Sequence, residues 1–333
     1  MDTVLFVVSF AIILSGALLF TNAVEWAGHK LAIGEGAVGS LLAAVGTAMP
    51  ETLIPIVAIV GGADGSGDVA IGAIVGAPFL LATIAMALVG VSALGYRNRR
   101  QQGRHLRAHA PTLERDLGFF LVFFALGLAL GWGAPAAIRI PAALVFICAY
   151  GFYVRATLLR GGATQDEETL NPLIMYRRDE GAATDPPSWA IAIQLLVGLG
   201  AMVGGAHLFV EELLHVAESL GVEALVLSLV FAPLATELPE KANSFFWVRE
   251  GKDSLALGNI TGAMVFQSVI PVAFGLLFTS WELDRFAAAS VVLGLAGGAV
   301  AYWALRLRGQ YNAPAIISWA ALYAAFLVFV LLA

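Results

Sequence analysis

The most constraining feature of the sequence is a series of apolar runs, each close to the length that crosses a lipid bilayer. A transmembrane helix needs roughly 20 mostly apolar residues, because it rises about 1.5 Å per residue through about 30 Å of hydrocarbon. Only 13% of the 333 residues are charged and 59% are hydrophobic, so most of the chain divides into such runs. The sequence therefore predicts an all-α polytopic membrane protein.

Apolar runs between charged residues or glycine and proline breaks predict ten transmembrane helices. The predicted spans are 3–28, 34–60, 67–95, 116–132, 136–158, 188–216, 222–248, 253–280, 285–305 and 312–332. The acidic N-terminus runs directly into the first span, without the basic region and cleavage site of a secretory signal. We therefore expect the first helix to be retained.

Basic residues sort to one side of the membrane when ten spans are counted. The connection at 96–115 carries six arginines, whereas the opposite face receives only Arg139 and Arg285. By the positive-inside tendency, the basic face is cytoplasmic. We expect an integral protein of the plasma or inner membrane, with both termini outside and the linker 160–187 in the cytoplasm.

The chain divides into two five-helix halves, residues 1–159 and 188–333, joined by the linker 160–187. An odd number of spans per half inserts the halves in opposite orientations, as in transporters built on inverted repeats. Residues 32–51 align without a gap with 221–240 and share a threonine and a Pro-Glu pair, which favours a duplication. The repeats extend over about 36–80 and 225–270.

Each half carries a Thr-x-x-Pro-Glu motif inside its second span. An interior proline removes a backbone donor and frees carbonyl oxygens, which are tolerated at membrane depth where they line a cavity. An acidic side chain at mid-span is costly, and a functional role explains it better than a bystander role. Carbonyl, hydroxyl and carboxylate oxygens suit Na⁺, Ca²⁺ or a similar cation. The candidate ligands are Thr47, Glu51, Thr236 and Glu240.

The second motif carries more charge than the first, because it also contains Glu237 and Lys241. These residues are four apart and can pair on one helix face. Two alternatives stay open, namely that Glu237 is itself a ligand or that Lys241 occupies a cation position. Asn259 and Gln267, on the third span of the second half, can also reach the site.

Other polar and small residues receive simpler interpretations. Gly72 with Gly76, and Gly258 with Gly262, have the spacing that permits close helix packing. The acidic and histidine residues of the sixth span are interpreted as interfacial rather than as a metal or proton site; they are His207, Glu211, Glu212 and His215. Cys148 is the single cysteine and lies in an apolar run. It excludes an internal disulfide and is expected to face lipid or pack.

The two motifs resemble those of the cation/calcium exchanger superfamily, whose sodium/calcium exchangers have two α-repeats in inverted five-helix halves. The family pattern Gly-Thr-Ser-x-Pro-Glu corresponds to 46–51 and 235–240, and Gly-Asn-x-x-Gly-Ser-Asn to 72–78 and 258–264. The resemblance implies that Glu51 and Glu240 are paired calcium-binding glutamates. It also implies that Thr47 and Thr236 help to bind sodium.

Several positions depart from the family patterns. Alanine or glutamate replaces the serines at Ala48, Glu237, Ala77 and Ala263, while Pro78 and Met264 replace the asparagines. Gln267 stands where the second repeat often carries an acidic residue. These departures leave the divalent-binding pair better supported than the binding of sodium.

The sequence thus predicts a secondary antiporter, not an enzyme, that exchanges Ca²⁺ or a related cation for Na⁺ or H⁺ by alternating access. A proton-coupled or passive cation transporter without sodium dependence is the alternative, and an intramembrane hydrolase is a remote one. No cofactor is expected, because the cations are transported ligands. Expected partners are membrane lipid and inorganic cations but not nucleic acid, and self-association into a homo-oligomer is left open.

Overall fold

The computed structural model describes residues 2–30, 49–101, 103, 105–107, 110–160, 171–176 and 185–332. In this part of the chain the backbone forms ten long helical elements. They are α1 (Asp2–Lys30), α2 (Met49–Gly61), α3 (Ser66–Gly95), α4 (Ala110–Leu130), α5 (Ala136–Arg160), α6 (Ser188–Leu220), α7 (Ala224–Arg249), α8 (Asp253–Phe278), α9 (Arg285–Arg308) and α10 (Ala313–Leu332). Each element overlaps one predicted span, although residues 34–48 of the second span lie outside the described residues, and the all-α interpretation is confirmed.

Seven of the described helices are long and apolar enough to cross a membrane. α2 is a shorter apolar helix, as is the first part of α7 (Ala224–Leu234). α4 begins at Ala110 rather than at the predicted residue 116, because the charged residues Glu114, Arg115 and Asp116 continue the helix beyond the apolar run. The apolar run therefore predicts the element but not its first turns.

α3 of the first half packs directly on α7 of the second half. A Cβ added at Gly72 would lie 2.5 Å from the Leu225 carbonyl oxygen, and one at Gly76 only 2.3 Å from that of Leu229. The glycines are therefore needed for this close backbone approach, as their spacing predicts. At Gly258 and Gly262 an added Cβ would meet none of the described atoms within 4 Å, so their predicted packing is not seen in the described part of the chain.

The two halves differ in backbone geometry as well as in sequence. α3 is interrupted by a π-helical turn over Leu81–Ala85, whereas α8, its counterpart in the second half, is α-helical throughout Asp253–Phe278. The alignment of the repeats places Leu81 opposite Gln267. A π turn changes the face that the following residues present, so the two halves do not offer equivalent surfaces beyond this point.

α1 and α6 run antiparallel and pack closely on each other. A Cβ at Gly16 would lie 2.8 Å from the Gly198 carbonyl oxygen, and one at Gly198 would lie 2.7 Å from the Phe20 nitrogen. Farther along, Phe6 stacks on Phe209 with ring centroids 5.3 Å apart. The largest buried cluster draws its residues from the other helices, whereas α1 and α6 share smaller clusters with residues of α2, α3 and α7. The two helices are therefore a closely packed pair that lies outside the largest cluster.

The connection between α3 and α4 is tied to the second half. The buried Arg100 guanidinium lies 2.8 Å from the Asp253 carboxylate and also donates to the Val248 carbonyl oxygen. Leu106 pairs with Tyr311 through two backbone hydrogen bonds. Burial, and to a smaller extent the charge of Glu114, raises the pKa of the Tyr311 hydroxyl, so this group stays protonated. The basic connection thus anchors the turn between α7 and α8.

Candidate functional site

Glu51 lies in a narrow cleft where α2 and α3 meet α7. Glu51 is only 5% exposed, and the cleft is too narrow to admit a water molecule in this structure. Its lining comprises Glu51, Ile54, Ala73 and Ala77 from the first half, and Ala232, Pro233 and Thr236 from the second. A carboxylate of one half and a threonine of the other therefore share one cleft.

The second Thr-x-x-Pro-Glu motif lies on α7. Thr236 is 4% exposed and donates its hydroxyl to the Ala232 carbonyl oxygen at 3.1 Å, which leaves the hydroxyl oxygen able to accept or to bind a cation. α7 remains helical through Pro239, so the interior proline does not end the helix. Position 240 follows Thr236 by one helical turn, so both positions lie on the same face of α7.

Glu237 contacts α8 through Gln267. The Gln267 side-chain amide donates a hydrogen bond to Glu237 Oε1, and both side chains are buried, at 0% and 1% exposure. A hydrogen bond from an amide to a buried carboxylate is among the stronger polar contacts. The structure thus joins two of the predicted site residues, which lie on neighbouring helices of the second half.

Two amide oxygens on α8 have no hydrogen-bond donor among the described residues. They are Oε1 of the buried Gln267 and Oδ1 of the half-buried Asn259. A buried acceptor without a donor is costly. Such oxygens, together with nearby carboxylates, form a donor set that suits a hard cation.

Parts of the predicted site lie beyond the described structure. Thr47 is outside the described residues, and so is Ala48, the counterpart of Glu237. The helix backbone at Glu240 and Lys241 is described, but their side chains are not. The pairing of Glu237 with Lys241 therefore stays a prediction, whereas the contact of Glu237 with Gln267 is observed.

The first half offers no polar side chain at the corresponding described positions. Ala73 and Ala77 line the cleft, and Leu81, the counterpart of Gln267, is fully buried. Among these described positions, polar candidate ligands therefore occur on α8 and not on its counterpart α3. Within the described residues, Glu51 is the charged contribution of the first half to the cleft.

The sequence analysis does not predict one buried hydrogen-bond network. The Asp116 carboxylate, on α4, accepts hydrogen bonds from Tyr153 on α5 at 2.9 Å and from Thr261 on α8 at 3.0 Å. Arg115 donates to the same carboxylate at 3.0 Å. An acidic residue at the start of an apolar span is the signal that marks this position. The network fastens α8, which carries Asn259 and Gln267, to α4 and α5.

The polar residues of α6 do not form a metal cluster in the described part of the chain. His207, Glu211 and His215 are exposed, whereas Glu212 is only 6% exposed. Glu212 therefore corrects the prediction, because it lies among packed side chains rather than at the surface. Cys148 is exposed on α5, as expected of a lipid-facing residue.

Comparison with known proteins places this arrangement in a family. A family model described as "Sodium/calcium exchanger protein" matches residues 1–159 and 190–332. The putative antiporter CaxA of Alkalimonas amylolytica is 24% identical over 315 residues, which cover 92% of this chain and 90% of the relative. The inner membrane protein YrbG of Escherichia coli is also 24% identical, over 75% of this chain and 71% of its own.

Solved structures show the same fold. The H⁺/Ca²⁺ exchanger CAX superposes with a TM-score of 0.75 at 20% identity, covering 99% of this chain and 82% of that one. The sodium-calcium exchanger NCX_Mj superposes with a TM-score of 0.58 at 18% identity, covering 98% of both chains. The fold is thus the ten-helix, two-repeat fold of these exchangers. With a family model that matches nearly its whole length, the chain belongs to the sodium/calcium exchanger protein family.

Proposed function

We propose that this membrane protein is a secondary antiporter that exchanges Ca²⁺, or a related cation, for Na⁺ or H⁺. The observation that carries the proposal is the buried cleft that Glu51 shares with Thr236 of the opposite half. Transporters built from inverted repeats bind their substrates where the two repeats meet. The family membership supports the same function.

The cation would be held by oxygen atoms from both halves. We propose that Glu51 and Glu240 supply the chelating carboxylates and that Thr47 and Thr236 supply hydroxyl oxygens. Glu237 would add a third carboxylate, oriented by Gln267, and the amide oxygens of Gln267 and Asn259 would complete the donor set. Six to eight such oxygens are the usual shell of Ca²⁺.

The coupling ion would compete for the same carboxylates. Ala48, Ala77 and Ala263 supply no hydroxyl where the family patterns have serine, so fewer side-chain ligands are left for Na⁺. Carboxylates can exchange a divalent cation for protons without further ligands. Proton coupling therefore receives nearly the same weight as sodium coupling.

Alternating access would come from the α1–α6 pair sliding against the remaining helices. α1 and α6 contact each other closely, and the largest buried cluster lies in the other helices. The charge distribution supports a cytoplasmic linker at 160–187 and termini on the outside. The two segments matched by the family model are consistent with halves of 1–159 and 188–333.

Isothermal titration of the purified protein tests the binding half of the proposal. Ca²⁺ should bind, and either added Na⁺ or a lower pH should weaken its binding, because the coupling ion occupies the same carboxylates. The competitor that acts identifies the coupling ion, and K⁺ serves as the matched monovalent control. Ca²⁺ binding that neither Na⁺ nor pH alters would contradict the proposed competition.

A further inference from the structure

A short part of the linker docks on one end of the α1–α6 pair. Residues 171–176 lie between α5 and α6 in sequence, and Leu173 within them is only 3% exposed. Leu173 belongs to one buried cluster with Ala23 of α1 and with Ala190 and Ile191 of α6. A single linker side chain thus packs against both helices.

Two polar side chains fix this segment in place. Gln194 of α6, which is 0% exposed, donates to the Leu19 carbonyl oxygen at 2.9 Å and to Asn22 Oδ1 at 2.8 Å. Its own oxygen accepts the backbone N–H of Met175 at 2.8 Å. Asn22 of α1 accepts the backbone N–H of Ile174 at 3.1 Å. α1, α6 and the linker are therefore joined by one hydrogen-bonded network.

A third side chain extends the attachment along α1. The Trp26 indole N–H donates to the Asn171 carbonyl oxygen at 2.9 Å, and Tyr176 packs edge-to-face against Trp189 of α6 with centroids 5.7 Å apart. The segment therefore contacts α1 at its first residue and α6 at its last. The Ile174 and Met175 backbone N–H groups thus donate to helix side chains, while that of Tyr176 donates to the Leu173 carbonyl oxygen within the segment.

The interface between α1 and α6 explains why such an attachment matters. Around Gly16 and Gly198 the contact is between backbones, because small residues let helices approach closely, and farther along Phe6 stacks on Phe209. Apolar packing of this kind is non-directional. The hydrogen bonds at the linker end supply directional contacts that fix one axial position.

We infer that residues 171–176, with Asn22 and Gln194, form a clip that makes α1 and α6 move as one body. This inference rests on the proposed antiport by alternating access. In oppositely inserted halves, α1 and α6 are equivalent helices that serve opposite sides of the membrane. If they move together, opening one side closes the other, and a counter-ion-independent leak is prevented.

Two independent variants test the clip, so that misfolding of one of them does not decide the result. Gln194→Leu removes the central amide while it keeps an apolar side chain of similar size. The second variant replaces residues 171–176 with a Gly-Ser segment of equal length and leaves both helices unchanged. Ser15→Ala is the matched control, because Ser15 is exposed on α1 and bonds only to its own helix at Ala11 in the described structure.

The first measurement is Ca²⁺ flux in proteoliposomes with and without a counter-ion gradient. In both clip variants, the ratio of counter-ion-independent Ca²⁺ flux to gradient-driven exchange should be about tenfold higher than in wild type. This change corresponds to the loss of about 1.4 kcal/mol of coupling between the two helices. Ser15→Ala should keep the wild-type ratio. Wild-type protein without any exchange would reject the proposed antiport itself, whereas tight exchange in both variants would reject only the clip.

The second measurement is the distance between spin labels on the two helices. Cysteines at Leu18 and Leu196, which are 68% and 65% exposed, can be labelled after Cys148→Ser removes the single native cysteine. The labels should give a narrow distance distribution in the parent protein and a broader one in both clip variants. An unchanged distribution in both variants would overturn the inference.

Discussion

Glu51→Gln should lower gradient-driven Ca²⁺ uptake by at least about 100-fold, which corresponds to roughly 3 kcal/mol lost at the bound cation. Glu51 is buried in the cleft between the halves, where water cannot replace the missing charge. Glutamine keeps the size of the side chain, so the substitution isolates the charge. Initial rates of ⁴⁵Ca²⁺ uptake into proteoliposomes measure the effect.

The matched control is Glu211→Gln on α6. Glu211 is an exposed glutamate outside the cleft, so its neutralisation should leave uptake within about twofold of wild type, because isolated exposed charges contribute little. Protein amount and melting temperature should be similar in the two variants. Glu51→Gln protein that transports Ca²⁺ at the wild-type rate would remove Glu51 from the ion site.

Exchanging the acid and the amide between Glu237 and Gln267 should largely preserve transport. Glu237→Gln alone should lower Ca²⁺ uptake about tenfold to 100-fold, because the site loses a carboxylate. Gln267→Glu alone places two carboxylates in direct contact, and their repulsion disturbs the site. The double variant restores one carboxylate and one amide in hydrogen-bond contact between α7 and α8, as in the native pair.

Rescue distinguishes a ligand pair from a structural contact. The double variant should transport within about fivefold of wild type, since its charge and its hydrogen bond are both retained. KM for Ca²⁺ should rise in the single variants and return towards the wild-type value in the double variant. A Glu237→Gln protein with wild-type uptake and KM would show that Glu237 serves only to hold the helices together.

The helices could be predicted because bilayer length and hydrophobicity leave a strong local signal. Their exact ends could not be predicted from hydrophobicity. α4 begins at Ala110, because its first turns are charged but still helical, whereas hydrophobicity alone places the start of this helix at 116. The π turn over Leu81–Ala85 was also not predicted. Nothing in the local composition of an apolar run separates π from α geometry.

The repeat motifs predicted that residues of the two halves lie close together, whereas their binding of a cation stays a prediction. Glu51 and Thr236 do line one cleft. The sequence offered Lys241 as one possible partner of Glu237, since spacing of four is visible within one helix, and that pairing stays a prediction. The observed partner, Gln267, lies on another helix, and the crossing of two helices is set by tertiary packing. The network around Asp116 was missed for the same reason.

Uphill Ca²⁺ accumulation in proteoliposomes tests the central claim most directly. Vesicles that contain the protein are given equal Ca²⁺ on both sides and an outward gradient of either Na⁺ or H⁺, with the membrane potential clamped. The proposed antiport predicts that one of the two gradients drives internal Ca²⁺ above the external concentration, and that collapsing the gradient releases it. Ca²⁺ that only equilibrates under both gradients would identify a passive pathway and contradict the account.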